Sequence, residues 1–158
     1  MKIQYQPIGF VRSPHQTTNG APIQPSRARG IEGTVEIAEE YVEGLSDLDG
    51  FSHIILICHL HKAAKFKLKV VPYLDTEFRG LFATRAPSRP NPIGLSVVRL
   101  LGIDGRVLRI EGVDLLDGTP VLDIKPYVRE FDHQPEIRCG WLDKVKAREV
   151  AADGRFEK

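Results

Sequence analysis

The sequence lacks the features that mark several common classes of protein. Its 158 residues include two cysteines, Cys58 and Cys139, which are too few for a disulfide framework, and we interpret both as buried free thiols. Neither Gly-x-Gly-x-x-Gly nor Gly-Lys-Ser/Thr occurs, which excludes a Rossmann fingerprint and a P-loop. The strongest apolar run, residues 54–58, is far shorter than a membrane span. An adenosine-containing ligand therefore needs another kind of site.

The length and the N-terminus indicate the broad class. A chain of 158 residues is long enough for one domain with a proper core, and we take residues 1–158 as a single domain. The first residues lack the apolar stretch and the cleavage site of a secretory signal. We therefore interpret the protein as cytoplasmic, with no membrane partner.

Net charge is small, at +1, but it is distributed unevenly. Residues 31–61 contain acids and no Lys or Arg, whereas residues 62–99 are rich in bases. A basic zone of this kind either attracts a phosphate backbone or forms a solvated edge. Lys65, Lys67 and Lys69 alternate with apolar residues, which predicts an edge strand with the lysines on one face.

The remaining patterns predict a mainly β fold. Asp104-Gly105 between two apolar segments predicts a hairpin with a type I′ turn. Short strands without repeated strand–helix alternation favour a small single-domain β-barrel with short helices and a C-terminal helix. Strands are predicted over residues 3–11, 34–37, 51–61, 65–70, 95–103, 106–113 and 121–128, and helices over residues 38–45 and 140–151, the latter with Trp141, Leu142 and Val145 toward the body.

Two segments combine rigid backbone with uncommitted polar side chains. In residues 82–96, Pro90 and Pro92 hold Arg89 and Asn91 in extended geometry, so the backbone aims those side chains. In residues 115–127, Asp-Gly-Thr-Pro predicts a turn, and a turn open to a ligand leaves N–H groups to bind it. The long polar segment 13–29 is predicted to fold over a site. Each segment alone is also compatible with an ordinary surface loop.

Together with residues 8–14, 24–25 and 51–54, these segments resemble the TsaA-like family over about residues 5–130. The resemblance rests on Thr-Arg…Arg-Pro-Asn-Pro-Ile-Gly and Asp-Gly-Thr-Pro…Asp-Ile-Lys-Pro-Tyr. It implies a small β-barrel that binds S-adenosylmethionine at the interface of a homodimer. The implied activity is methylation of tRNA on the exocyclic nitrogen of a threonylcarbamoyl-modified adenosine beside the anticodon.

The resemblance also implies a set of cofactor-binding residues. Arg85 is expected to pair with the carboxylate of the cofactor, and backbone groups of residues 116–118 are expected to read its adenine. Ser26 stands where other family members have glycine. The whole set is Gln24, Pro25, Ser26, His61, Lys62, Arg85, Leu95, Leu115, Leu116, Asp117 and Gly118.

Candidates for the chemistry and for RNA contact come from charge and position. Methyl transfer from a sulfonium needs positioning above all, but the adenine nitrogen must still lose a proton, which a nearby carboxylate or tyrosine would accept. Asp123 and Tyr127, on one face of the predicted strand 121–128, are the candidates; alternatively, Asp123 pairs with Arg85 or Arg89. The candidate RNA contacts are Lys65, Lys67, Lys69 and Arg89.

Two other functions stay open. A non-catalytic barrel that binds S-adenosylmethionine or RNA would carry the same motifs. His59 and His61 have the spacing of a metal-binding His-x-His, as in a cupin-like enzyme. His53 lies too far along the strand to complete that set, so we predict no metal.

Overall fold

A computed structural model describes residues 1–23 and 28–145. Six strands close into an antiparallel barrel in the order β1-β2-β7-β6-β3-β8, which confirms the predicted fold, and β4 and β5 form a separate two-stranded sheet. The strands are β1 Gly9–Arg12, β2 Glu32–Ile37, β3 His53–His59, β4 Lys69–Val70, β5 Arg79–Gly80, β6 Ile93–Asp104, β7 Val107–Glu111 and β8 Pro120–Pro126.

Alternation along the strands fills the barrel. In β3, Ile54, Leu56 and Cys58 are buried, while His53 and His59 at the two ends are exposed. Successive side chains point to opposite faces of a strand, so each strand contributes one row to the interior. The other strands supply buried residues in the same way, including Val11, Val35, Ile37, Val98, Leu100, Leu108, Ile110 and Val121.

Two predicted strands are much shorter than expected. The first covers only Gly9–Arg12 rather than 3–11, because Pro7 has no N–H for a ladder and the residues before it are exposed. The basic strand covers only Lys69–Val70 rather than 65–70. Phe66 and Leu68 are 46% and 64% exposed, so the alternation with lysine does not separate a buried face from a solvated one. The prediction of three lysines on one strand face is wrong.

The hairpin between β6 and β7 is confirmed, but its turn differs from the prediction. Asp104 pairs with Val107, so the two loop residues are Gly105 and Arg106. Gly105 has φ +59°, and Arg106 does not have a positive φ. A type I′ turn requires positive φ at both positions, whereas glycine at the first position alone fits type II′.

The helices are few and short in the described part of the chain. The predicted helix 38–45 is a 3-10 helix, Glu39–Leu45. The predicted helix 140–151 begins as a 3-10 helix, Gly140–Lys144, that ends before Val145; residues 146–151 lie outside the described ranges. A four-residue helix α1, Arg129–Asp132, was not predicted. Across residues 1–23 and 28–145, no helix has the length and apolarity needed to cross a bilayer.

The two cysteines have different environments. Cys58 is buried in the barrel, as predicted, but Cys139 is exposed. The apolar run around Cys58 predicts burial correctly because it forms β3. Cys139 has no such run and lies in a segment whose residues 129–140 are all exposed. Neither cysteine forms a disulfide with the other.

The antiparallel order divides the connections between two ends of the barrel. One end, here called the loop end, gathers the segments 13–31, 60–92 and 112–119. The other, here called the hairpin end, gathers the turn 105–106, the segment 38–52 and the residues directly after β8. Further along, Trp141 returns to the segment 60–92, where its indole N–H donates to the Ala83 carbonyl at 2.8 Å. The two sequence motifs therefore meet at the loop end, since the first precedes β6 and the second precedes and enters β8.

Candidate functional site at the loop end of the barrel

The segment after β1 is tied to the segment before β8. The Ser13 hydroxyl donates to the Leu115 carbonyl at 2.6 Å, and the Ser13 N–H donates to Asp117 Oδ1 at 3.1 Å. His15 Nε2 lies 3.0 Å from the Val113 carbonyl. These contacts join residues about a hundred positions apart, so they hold the long segment against the Asp-Gly-Thr-Pro turn.

Lys62 joins a third segment to this cluster. Its Nζ donates to the Gln16 carbonyl at 2.8 Å, which links the turn after β3 to the segment after β1. The neighbouring His61 is exposed, and its pKa is lowered by partial burial and then by the charges of Lys62 and His59. Lys62 therefore positions the loops, while the His61 ring stays at the surface of the site.

The turn 115–118 offers a ligand different groups from those expected. The N–H groups of Asp117 and Gly118 donate to the carbonyls of His15 and Val11 at 2.7 and 2.8 Å. Gly118 has φ +76°, a conformation that favours glycine. Because these two N–H groups already close the turn, they are not available to a ligand. Backbone carbonyl oxygens, such as those of residues 117 and 118, accept a hydrogen bond from an amino group.

Arg89 stabilises the loop that carries Arg85. Its Nη1 donates to the carbonyls of Thr84 at 2.9 Å and Ala86 at 3.3 Å, and its guanidinium lies 5.7 Å from the centre of the Phe82 ring. These contacts keep Arg89 on its own loop rather than directed to solvent. Arg85, in the same loop, is exposed at the loop end.

Asp114 is a site residue that the sequence interpretation missed. Its Oδ1 accepts a hydrogen bond of 2.7 Å from the buried Ser96 hydroxyl. Burial raises the pKa of Asp114 to about 6, against the lowering effects of Ser96 and of the Arg85 charge. The one signal in the sequence was an acid between Val113 and Leu115, two apolar residues that are both buried. A carboxyl group with a raised pKa beside a candidate ligand site is a common functional feature.

Cys58 lies under the same carboxyl group. Burial, and then the Asp114 charge, raise the pKa of the Cys58 thiol to about 12. The thiol is therefore un-ionised at neutral pH and is not a nucleophile. Within residues 1–23 and 28–145, no three side chains of His, Cys, Asp or Glu come together as a metal site, and this includes the surroundings of His59 and His61.

The outer face of the barrel brings Leu95 near Asp123. Ile57 of β3 pairs with Leu95 of β6 on one side and with Asp123 of β8 on the other. Strands lie about 4.8 Å apart, so Leu95 and Asp123 are about 10 Å apart in one row. The register thus places a candidate cofactor residue and a candidate catalytic residue on the same surface. Leu95 is 52% exposed there.

Apolar residues form the centre of this surface, which we call the apolar sheet face: Ile55, Ile57, Ile93, Leu95 and Val97. Asp123 lies at its margin and is paired with Lys125 at 2.9 Å, not with Arg85 or Arg89. Tyr127 lies further along, toward the hairpin end, with its ring 6.5 Å from that of His53. Asp123, Lys125 and Tyr127 lie on one face of the chain at alternate positions. Tyr127 is therefore two cross-strand rows nearer to the hairpin end than Leu95 and Asp123.

The remaining predicted residues are only partly placed. Gln24, Pro25 and Ser26 lie outside the described residues. Lys65, Lys67 and Lys69 are exposed next to the loop end, so their contact with RNA stays a prediction. Hydrogen bonds tie Lys62 and residues 115 and 117 to the segment after β1, and Arg85 is close enough to Asp114 to lower its pKa. Leu95, in contrast, lies on the outer face of the barrel, and the Leu115 side chain is buried in the core.

These features define the class of protein. The chain is a small closed β-barrel with candidate ligand-binding loops at one end and an apolar outer face beside them. The chain belongs to the tRNA-methyltransferase O family, because the model of the N-terminal domain of that family matches residues 10–133.

Individual relatives agree with the family. The chain is 57% identical to a Pyrococcus abyssi protein described as "Probable S-adenosyl-L-methionine-binding protein", over 99% of this chain and 86% of that protein. It is 32% identical to an Escherichia coli tRNA (adenine(37)-N6)-methyltransferase, over 94% of this chain and 67% of the relative. A crystal structure of TrmO from Pseudomonas aeruginosa superposes with a TM-score of 0.75 at 42% identity, over 89% of this chain. The present chain spans 62% of the length of that crystallised chain.

Proposed function

We propose that this protein is a homodimeric, cytoplasmic methyltransferase that uses S-adenosylmethionine to methylate tRNA. The acceptor is the exocyclic nitrogen of a threonylcarbamoyl-modified adenosine beside the anticodon. The observation that carries the proposal is the meeting of both sequence motifs at the loop end, in a chain that belongs to the tRNA-methyltransferase O family. The printed names of the relatives support the cofactor and the class of substrate.

The residues at the loop end fit the parts of the cofactor. Leu95 and Leu116 supply apolar contact, and the exposed Arg85 supplies a cation for a carboxylate. The carbonyl oxygens of the turn 117–118 suit the amino group of an adenine. The carboxyl group of Asp114, which is hydrogen-bonded to Ser96 beside the same loops, suits the charged amino group of the cofactor's methionine portion. When bound, S-adenosylmethionine supplies a methyl group on a sulfonium, which leaves as a neutral thioether.

The protein's task in the reaction is mainly to position the two partners. With the cofactor bound, the adenine nitrogen would gain the methyl group as the carbon–sulfur bond is given up, and it would have to lose one proton to a nearby base. Asp123 is the carboxylate on the surface that Leu95 shares, about 10 Å from it, so it is the residue we propose to accept that proton. Tyr127, two rows below, is better placed to hold the RNA than to take part in the transfer.

Dimerisation is supported by the apolar sheet face. Monomeric proteins rarely expose large contiguous apolar patches. Here Ile93 and Leu95 are 45% and 52% exposed in one surface with Ile55, Ile57 and Val97. We propose that a second copy of the chain covers this face and completes the cofactor site. In a two-fold dimer the contact is self-complementary, so the same face of each copy would cover that of the other.

We expect Ile55→Lys to convert a dimer into a monomer without unfolding the barrel. Ile55 lies in the apolar sheet face, between Val97 and Lys125, and outside the candidate cofactor set, and a charge there would be desolvated in the interface. Sedimentation equilibrium measures the change, and Ile3→Lys, at an exposed position away from the barrel, is the control. A parent protein that is monomeric and fully active would contradict the proposal.

A non-catalytic S-adenosylmethionine-binding barrel is the second candidate. It is favoured by the description of the Pyrococcus abyssi relative, which names binding of the cofactor and no transfer. The two candidates differ in one experiment, in which the protein is incubated with tritiated-methyl cofactor and tRNA. Label that reaches the tRNA supports the enzyme. Cofactor that is bound and recovered intact, with no labelled tRNA, supports the binding protein.

A further inference from the structure

A cleft of about 610 Å³ opens at the hairpin end, on the outer side of β3. Its five lining residues carry two hydroxyl groups, two imidazoles and one guanidinium, and none carries a carboxylate. We call it the His53 cleft, and its lining is Ser52, His53, Tyr127, Arg129 and His133. All these side chains donate hydrogen bonds, so the cleft is chemically suited to an acceptor with several oxygens.

Two strand ends fix one wall of the cleft. The Tyr127 N–H donates to the His53 carbonyl at 3.1 Å, and the two rings meet edge to face at 64°. The Ser52 hydroxyl lies 2.9 Å from His53 Nδ1. Nε2 is therefore the ring nitrogen of His53 that remains for a ligand, and the Tyr127 ring beside it limits how that imidazole can turn.

Helix α1 supplies the other wall. The His133 N–H donates to the Arg129 carbonyl at 3.1 Å, so one turn brings both residues to the cleft. The neighbouring Asp132 uses its carboxylate to accept the Val128 N–H at 2.7 Å. In the described part of the chain, no carboxylate forms an ion pair with Arg129. Its guanidinium can therefore pair with an external anion without first breaking an ion pair among the described residues.

The geometry points to a phosphate group of the RNA backbone as the ligand of the His53 cleft, an inference that rests on the proposed function. A phosphate has the acceptor oxygens and the negative charge that this lining lacks, and arginine binds it in a bidentate way. The larger cleft at the same end, about 660 Å³, has four acids on its lining, Glu40, Glu43, Asp47 and Asp123, and is unsuited to a phosphate. Charge thus distinguishes the two clefts.

The position of the His53 cleft suits a strand of RNA that also reaches the cofactor. His53 and Ile57 lie on the same face of β3, four residues apart, or about 13 Å at a rise of about 3.3 Å per residue. Ile57 is in the row of Leu95 and Asp123. A phosphate in the cleft would therefore lie a few nucleotides from the acceptor base, where it would set the register without reading sequence.

The test is tRNA binding by the double variant Arg129→Ala, His133→Ala, measured over a range of salt concentrations. We expect the affinity for tRNA to fall by about tenfold and the salt dependence to flatten by roughly one to two ions in slope. The affinity for S-adenosylmethionine should not change, because the cofactor residues lie at the other end. Arg106→Ala, which removes one charge on the opposite wall of the barrel, should leave both affinities near the parent. Arg129→Glu alone should weaken tRNA binding without altering α1.

A double variant with the parent's tRNA affinity and salt slope would overturn the inference. Inorganic phosphate that binds the parent, fails to bind the double variant and does not compete with tRNA would also overturn it, since the cleft would then hold a free anion. A parent that binds tRNA through this cleft but transfers no methyl group would contradict the proposed function. The assignment of the His53 cleft to an RNA phosphate would then still stand.

Discussion

Arg85→Ala should weaken the binding of S-adenosylmethionine by about 1.5 to 3 kcal/mol, roughly 10- to 150-fold in Kd. A carboxylate that enters a partly closed site loses water and needs a cation or strong donors in exchange. Arg85 is exposed at the loop end, and the neighbouring Arg89 stabilises its loop by donating to the carbonyls of Thr84 and Ala86. Calorimetric titration with the cofactor measures the loss directly.

Two controls make the Arg85 result specific. Arg85→Lys keeps the positive charge but loses the planar guanidinium with its paired N–H donors. It should therefore recover part of the affinity for S-adenosylmethionine that Arg85→Ala loses. Arg106→Ala removes a guanidinium that is paired with Glu36 on the far side of the barrel, and it should bind the cofactor as the parent does. If Arg85→Ala retains the parent's fold and the parent's affinity, Arg85 does not belong to the site.

Asp114→Asn should stabilise the folded protein at neutral pH by up to about 3 kcal/mol. Burial raises the pKa of Asp114 from 3.8 to about 6 in the folded state, and a difference of this size corresponds to about that free energy. Between pH 4 and pH 6 the folded state holds a proton that the unfolded state has lost. The parent's stability therefore falls as the pH rises through this window, whereas asparagine cannot ionise and escapes the loss.

Urea unfolding of both proteins at pH 4, pH 6 and pH 8 tests this prediction. The gain in stability from Asp114→Asn should be small at pH 4 and should reach its full value by pH 8. Asp104→Asn, at an exposed position beside the hairpin turn, is the control and should show no such trend. A gain that is equal at all three pH values would show that Asp114 is not the titrating group. A real gain would mark Asp114 as a residue kept at a cost in stability, as functional residues often are.

The sequence predicted the barrel because its signals were local. The apolar run 54–58, the apolar segments around Gly105 and the rigid motif 82–96 each specify a strand, a turn or a loop without help from distant residues. The basic strand failed for the opposite reason. Lys65 to Val70 has the pattern of a half-buried strand, but no second strand pairs with residues 65–68 and no core lies under Phe66 and Leu68.

The candidate site was only partly predictable, because its geometry depends on register. No local pattern indicates that Ile57 lies between Leu95 and Asp123, since that row exists only once three strands are aligned. Asp114 was missed because its pKa is raised by burial, which depends on the folded barrel, and its hydrogen-bond partner Ser96 lies eighteen positions away. The His53 cleft was missed because α1, which brings Arg129 and His133 together, is a four-residue helix without a periodic signal.

The proposed reaction is tested most directly by methyl transfer to two tRNA preparations that differ only in the threonylcarbamoyl group on the adenosine beside the anticodon. Tritiated-methyl cofactor is supplied at a concentration below saturation, and the labelled nucleoside is identified after digestion. Label on the modified adenosine alone, reduced at least tenfold by Arg85→Ala, is the result we predict. Equal label on both preparations would contradict the proposed acceptor, and no label on either, from protein that binds the cofactor, would contradict the proposed reaction.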